Sequence, residues 1–356
     1  MAVACDVVDV AGARKRWRNW AGVWAAVAAA ACTPSPSPQI RTVTGFAQGT
    51  TYSLQWLDGG GEAEIRAAAE RELERIDALL SNYRSDSTLE TFNAMRTTAA
   101  IELPAELVAL FGVAKTVHAA SDGCFDPTVR PLVRAWGFDG DTPTVPPPAV
   151  IDAALTTVGL DKLELVDATH VRKARVDLEI DMASIGQGYT AGRLGDLLEQ
   201  HGSTNYLAEI GGEVVTRGAK PGGLPWRIGV EDPVSGGAPG PALRMPAESR
   251  TAAITSGSYR HYLEADGKRF GHIIDPRTGW AVEHDLLSVT VVGADAAESA
   301  AWATALLCLG PTAALETAER ENLAALLWTG DGSRPATLEV SRALASWGGL
   351  LAPPAR

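Results

Sequence analysis

The 356-residue chain reads as an α+β protein. Three observations lead there. Alternating stretches and helical repeats follow one another irregularly, without the regular strand–helix alternation of a wound parallel sheet. The turn Ile185-Gly186-Gln187-Gly188-Tyr189 lacks the Gly-x-Gly-x-x-Gly spacing of a dinucleotide-binding βαβ unit. A balance of 46% hydrophobic and 21% charged residues is globular, with length for one large domain or two small ones. The net charge of −12 lacks the basic character of a nucleic-acid binder, so no nucleic-acid partner is expected.

Arg14, Lys15, Arg16 and Arg18 precede an apolar run from Trp20 to Ala31, and Cys32 follows. Basic, apolar and small residues in that order read as an export signal. The run is shorter than the ~20 residues that span a bilayer. Ala29-Ala30-Ala31-Cys32 resembles a bacterial lipobox, which implies removal of residues 1–31 and a lipid on Cys32. A plain signal cleaved near Ala31 is the alternative. Residues 32–40 carry Thr-Pro-Ser-Pro-Ser-Pro, a stiff tether, ahead of a domain expected over 41–350. The expected location is the cell envelope, lipid-anchored to a bacterial membrane on its periplasmic face.

Arg41 to Leu57 alternates and reads as one or two strands. Glu62 to Leu80 is a helix, because Ile65, Ala69, Leu73, Ile76 and Leu80 recur every three to four residues. Asp86 to Met95 is a short helix with Asp86 as its expected N-cap, and Pro104 to Ala120 is another. Pro127 opens a further helix to Trp136, where proline's missing N–H costs nothing. Then come a helix over Val150–Val158, strands over Leu163–Val166 and Val171–Ile180, and a helix from Gly188 to His201. Tyr206–Ile210 and Trp226–Val230 read as strands. Asp295–Leu309 is a helix apolar on all sides and therefore buried. Leu323–Trp328 is a late strand and Val340–Trp347 a late helix.

Once Cys5 leaves with the signal and Cys32 is lipidated, Cys124 and Cys308 remain. Two lone cysteines are no disulfide framework, and Cys308 is expected free in the core. Among the histidines, His272 and His284 lie among turn and polar signals. Spacing alone reads Asp275-Pro276-Arg277-Thr278-Gly279 as a tight turn beside a structural His272. Histidine is also the usual proton-transfer group near neutral pH, which leaves a catalytic role open.

Taken together, the motifs resemble the ApbE family in order and spacing. They are Gln48-Gly49-Thr50-Thr51-Tyr52, Ser81-Asn82-Tyr83-Arg84-Ser85-Asp86-Ser87, Cys124-Phe125-Asp126-Pro127-Thr128 through Trp136-Gly137-Phe138, and Asp181 through Tyr189. Glu209-Ile210-Gly211-Gly212-Glu213, Trp226 to Gly229, Thr255 to Arg260 and His272 to Gly279 complete the set. The resemblance implies an ApbE-like, T-fold-like α+β fold of mixed sheets and packed helices, with FAD in a cleft between lobes. It implies Mg²⁺-dependent transfer of FMN from FAD to a Thr or Ser of a target flavoprotein, a subunit of a membrane redox complex. By the same resemblance Gln48, Tyr83, Cys124, Phe125, Asp126, Asp181, Gln187 and Ile274 line the FAD site. Asp126 before Pro127-Thr128 also suits a plain helix cap. His272 is the expected general base, with His284 second.

The family's Mg²⁺ ligands imply backbone oxygens around Ser184 and an Asp followed four residues later by a Thr, which share one helix face. Thr304 matches, but Ala300 stands at the Asp position, Gly192 replaces another Asp, and Gln187 stands where many members carry Lys. Glu298 lies about 200° around the helix from Ala300 and cannot simply replace it. The ion then binds through Thr304, backbone near Ser184 and FAD phosphates, or another acid such as Asp285 or Glu298 swings in. Otherwise the chain binds flavin without transferring it. Hydrolysis of FAD to FMN and AMP is a further use of the same site.

Overall fold

The structure, a computed structural model, describes residues 39–140, 142–234, 239–259, 262–265, 267–330 and 336–351. The expected signal, Cys32, most of the tether and Arg260 lie outside them. Eight strands form the central sheet: β1 (Arg41–Ala47), β2 (Thr50–Trp56), β3 (Tyr206–Ile210), β4 (Glu213–Arg217), β5 (Thr251–Gly257), β6 (Leu286–Gly293), β7 (Ala324–Thr329) and β8 (Thr337–Val340). They lie in chain order, each antiparallel to its neighbour. The long excursion between β2 and β3 carries α1 (Glu62–Leu80), α2 (Thr88–Ala94), α3 (Ala105–Ala120), α4 (Arg130–Trp136), α5 (Pro148–Leu155) and α6 (Ala183–Gln200). Between β6 and β7 come α7 (Ala296–Leu309) and α8 (Pro311–Arg320), and α9 (Arg342–Trp347) follows β8. Among the described residues no helix is long and apolar enough to cross a membrane.

Helices cover one face of the sheet. Leu54 and Trp56 of β2 meet Ile65 and Ala69 of α1 and Leu194 and Leu198 of α6. Val289 and Leu327 meet Phe111 of α3 and Leu306 of α7. On the other face Ala253, Val292 and Leu326 pack under Trp226, Leu243 and Met245, beside a small sheet of Arg227–Glu231, Pro239–Arg244 and Leu350–Leu351. Strands β4, β5 and β6 carry no period-two pattern because both their faces are covered, as the buried runs Val214–Thr216 and Thr251–Ile254 show.

Several boundaries differ from the sequence expectations. Ser87, not Asp86, caps α2 by accepting from the Glu90 amide at 3.0 Å; Asp86 pairs with Arg84 instead. The strand expected over 171–180 ends at Lys173. Beyond it the Asn93 side chain holds Ile180, accepting from its N–H at 2.8 Å and donating to its carbonyl at 2.9 Å in place of a strand neighbour. Helix α6 starts at Ala183 rather than Gly188, with Met182 as its N-cap and Asp181, the residue before it, accepting from the Ala183 amide at 2.8 Å.

The free cysteines expected at 124 and 308 are also corrected: they form a disulfide with their Cα atoms 5.7 Å apart. Sequence separation of 184 residues gave no sign of the pairing; α7 packing across α3 brings the two together.

Candidate functional site

The site forms where the turn after β1, the N-terminal half of α6 and the β3–β4 turn converge. Gln48 and Gly49 close the β1–β2 hairpin with φ of 51° and 75°, the left-handed pair that a two-residue hairpin turn requires. That turn presents the Gln48 side chain to α6, where its Oε1 accepts from the Thr190 hydroxyl at 3.1 Å. Gln187 lies one turn earlier, and its Oε1 would stand 3.1 Å from a Cβ placed on Gly211 in the β3–β4 turn. Glycine at 211 therefore keeps this approach open. Thr190, which the sequence reading did not single out, is the residue that joins Gln48 to the helix.

Asp181 ties two further stretches to the start of α6. Its N–H donates to the Pro127 carbonyl at 2.7 Å, and its Oδ1 accepts from Asn82 at 2.7 Å as well as from Ala183. Burial pushes the Asp181 carboxyl upward, against these hydrogen bonds. The Asn82 Oδ1 is buried without a hydrogen-bond partner. Beside it Tyr83 is 86% exposed, an aromatic face open to a planar ring.

The Cys124-Phe125-Asp126 stretch is buried. Asp126 acts as a local cap, its Oδ1 accepting from Thr128 N–H at 2.8 Å and Thr128 hydroxyl at 2.6 Å, and its Oδ2 from Leu160 N–H at 2.9 Å. His118 reaches the Phe125 carbonyl at 2.8 Å and lies 3.5 Å from Asp126. Its position seven residues before Phe125 was the available signal. Ile274 is buried next to Ala281, with which it makes an isolated bridge that closes the Asp275–Gly279 turn. His272 is half-buried at the entrance of this turn. His284 turns its ring inward: Nδ1 accepts from Leu286 N–H at 3.2 Å, and Nε2 is buried without a hydrogen-bond partner among the described residues. Burial lowers its pKa.

Residues 184 and 304 sit on facing rows of α6 and α7. A Cβ on Gly188 would stand 2.5 Å from the Ala296 carbonyl oxygen and 2.7 Å from the Ala300 Cβ, and one on Gly192 would stand 3.6 Å from the Ala296 Cβ. The helices thus cross antiparallel, Gly192 against Ala296 and Gly188 against Ala296 and Ala300, and their ends at Ser184 and Thr304 point the same way. The Thr304 hydroxyl meets that of Ser256 at 3.0 Å, and Ser184 is exposed in the first turn of α6. Ala300 is 3% exposed and offers no oxygen. Glu298 and Asp285 are both exposed, and neither is brought to Thr304 by a hydrogen bond or ion pair among those described. Cys124, Asp275 and Cys308 place ligand-type atoms within 4.8 Å of one another, but the disulfide leaves no thiolate to hold a cation.

On β4, Glu213 accepts from the Thr255 N–H at 3.0 Å. Burial pushes its carboxyl up to about 8, the Thr255 hydrogen bond opposing and Glu209 adding to the rise. A separate groove of about 670 Å³ lies beside Tyr189, Gly192, Arg193 and Arg250; none of the residues expected to touch flavin lines it. Arg250 reaches the Gly192 carbonyl and Asp196 there.

Fold and clustered motifs together define a member of the ApbE family, whose model matches residues 48–327. The chain is 37% identical over 316 residues to a Salmonella typhimurium protein named FAD:protein FMN transferase, covering 84% of this chain and 87% of that one. It is 35% identical over 315 residues to the Escherichia coli protein of that name, covering 85% and 89%. Among solved structures, the apo flavinyl transferase ApbE of Pseudomonas stutzeri superposes with a TM-score of 0.79 at 32% identity, over 90% of this chain and 99% of that one. The flavin transferase ApbE of Vibrio cholerae gives 0.78 at 27%, over 86% and 99%.

Proposed function

We propose that the protein transfers the FMN half of FAD to a threonine or serine hydroxyl of a target flavoprotein and releases AMP. The observation that carries this reading is the convergence at the start of α6. Asn82 joins Asp181 at the N-terminus of α6, which favours phosphate oxygens, and Gln48 and Gly211 approach Thr190 and Gln187 further along the first half of the same helix. The names of the relatives support the same reaction. In it the acceptor oxygen bonds to the FMN-side phosphorus, the bond to the bridging oxygen breaks, and AMP leaves with that oxygen. His272 takes the hydroxyl proton, and the exposed Tyr83 ring offers an aromatic face to the ring system.

The donors on the α6–α7 seam, the Thr304 hydroxyl and the first-turn backbone around Ser184, suit a hard cation that draws its remaining ligands from phosphate and water. Mg²⁺ held there would neutralise charge on the pyrophosphate. Ala300 and Gly192 favour a second reading, a flavin-binding lipoprotein that carries FAD without transferring it.

The buried Cys124–Cys308 bond suits an oxidising compartment and so supports export, with Cys32 as lipid anchor on the periplasmic face of a bacterial membrane. The acceptor is then a flavin subunit of a membrane redox complex. The test is incubation with FAD, Mg²⁺ and a candidate acceptor domain, reading AMP by chromatography and adduct mass by spectrometry. Transfer gives both AMP and a covalent FMN adduct. AMP without adduct means hydrolysis, and neither product with FAD still bound means the carrier.

A further inference from the structure

The Cys124–Cys308 disulfide joins the stretches that bear the candidate residues. Cys124 sits directly before Phe125 and Asp126, at the end of a loop with φ of 52° at Asp122 and 80° at Gly123. Cys308 lies one turn beyond Thr304 on the same face of α7. The Asp275 carboxylate lies within 4.8 Å of both sulfurs, in the turn that His272 opens. Arg277, paired with Asp275 at 2.7 Å, packs 3.6 Å from the Cβ position of Gly123. One covalent bond therefore joins the Cys124 loop to the Thr304 helix, and the His272 turn packs beside it.

We propose that this disulfide is a positioning element for flavin transfer, so that the chain becomes a competent transferase only after oxidation of Cys124 and Cys308. Both sulfurs are buried, at 2% and 4% exposure, so in the folded protein the bond is a durable fixture rather than a rapid switch. It forms by thiol–disulfide exchange with an oxidant of the protein-disulfide class. The two cysteine thiols lose their protons and two electrons to the oxidant's disulfide, which leaves as a dithiol carrying both protons. Without the bond, a covalent contact of about 2 Å becomes a non-bonded one of roughly 3.5–4 Å. The freed thiols gain that spacing by rotating or by letting the loop and α7 drift apart, and misplacement by about 1 Å at a reacting centre costs up to about a hundredfold in rate. Oxidation thereby couples activity to export.

This inference rests on the transfer reading. The experiment compares oxidised protein, protein reduced under mild denaturant and refolded, and the Cys124→Ala/Cys308→Val double variant. Each is assayed well below its Tm for kcat, KM for FAD and FAD dissociation constant, with free thiols counted by alkylation and mass. The expected result is no free thiol in oxidised protein and at least a tenfold loss of kcat/KM in both forms that lack the bond, with weaker FAD binding. Should the double variant fail to fold, the refolded reduced chain carries the comparison. Equal kcat and KM with a lowered Tm would leave the bond a mere staple and overturn the proposal, as would two free thiols in protein purified from an oxidising compartment. If the oxidised protein neither binds FAD nor releases AMP, it is the transfer reading that fails.

Discussion

Gly188 is the tightest point on the seam that carries the expected cation donors, and replacing it with alanine reads how closely α6 and α7 must approach. The new Cβ would stand 2.5 Å from the Ala296 carbonyl oxygen and 2.7 Å from the Ala300 Cβ, both too close for any heavy atom. Alanine's helix propensity alone would stabilise α6 by about 0.8–1 kcal/mol. Overpacking a seam costs typically about 1–3 kcal/mol, and contact with a backbone oxygen that cannot rotate away places this case at the upper end. The net is a loss of about 1–2 kcal/mol, or about 2–3 °C in Tm for a chain of this length. Gly186, two residues earlier in the same helix, is the control: a Cβ there meets nothing within 4 Å, so Gly186→Ala should raise the Tm of the flavin-free protein. Thermal unfolding followed by circular dichroism measures both, and FAD titration should show weaker binding by Gly188→Ala as the Ser184–Thr304 end opens. A Gly188→Ala protein as stable as Gly186→Ala would refute the close crossing.

Three other outcomes are expected. His272→Ala should lower kcat for AMP release by about 10²–10⁴ while FAD binding stays within about threefold; undiminished turnover would remove His272 as the base. Ala300→Asp should raise the Mg²⁺-dependent rate at least tenfold, about 1.4 kcal/mol, and its Tm should fall in chelator and recover with Mg²⁺; no gain in rate means that position 300 is not where the cation is held. Glu213 is raised in the folded protein to about 8, so between its unfolded value near 4.5 and about 8 the folded state holds the extra proton and stability falls as pH rises. Glu213→Gln should flatten this fall in chemical-denaturation midpoints measured from pH 5 to pH 8, and an unchanged slope would point to other groups.

Much of the fold could be read locally. Helix α1 matches its expected range because one face is apolar at every turn, and β1 and β2 alternate as half-covered strands do. Strands β4 to β6 escaped because two covered faces erase the alternation. Helix α6 was shortened because Gly186 and Gly188 suggest a turn; their reason is the approach of α7, a tertiary fact. The site residues emerged as family motifs rather than from periodicity. What binds them together did not: Thr190 under Gln48, Ser256 under Thr304, His118 under Phe125 and the disulfide are all contacts between distant stretches.

The two positions where the chain departs from the family's expected carboxylates belong to one structural feature. Gly192 and Ala300 both lie on the α6–α7 seam, Gly192 against Ala296 and Ala300 against Gly188. Small residues on both helices bring the two backbones close together there. Arg250 takes the Gly192 carbonyl and the Asp196 carboxylate one turn further along α6. A seam closed in this way holds its donors by backbone packing, and in the same region the Cys124–Cys308 bond fixes the far end of α7 to the flavin loop. On the proposed reading, packing and the disulfide hold the cation donors in place while Ala300 and Gly192 add no charge of their own. Cation affinity should then depend on bound FAD, whose phosphates bring the missing negative charge to donors already in place.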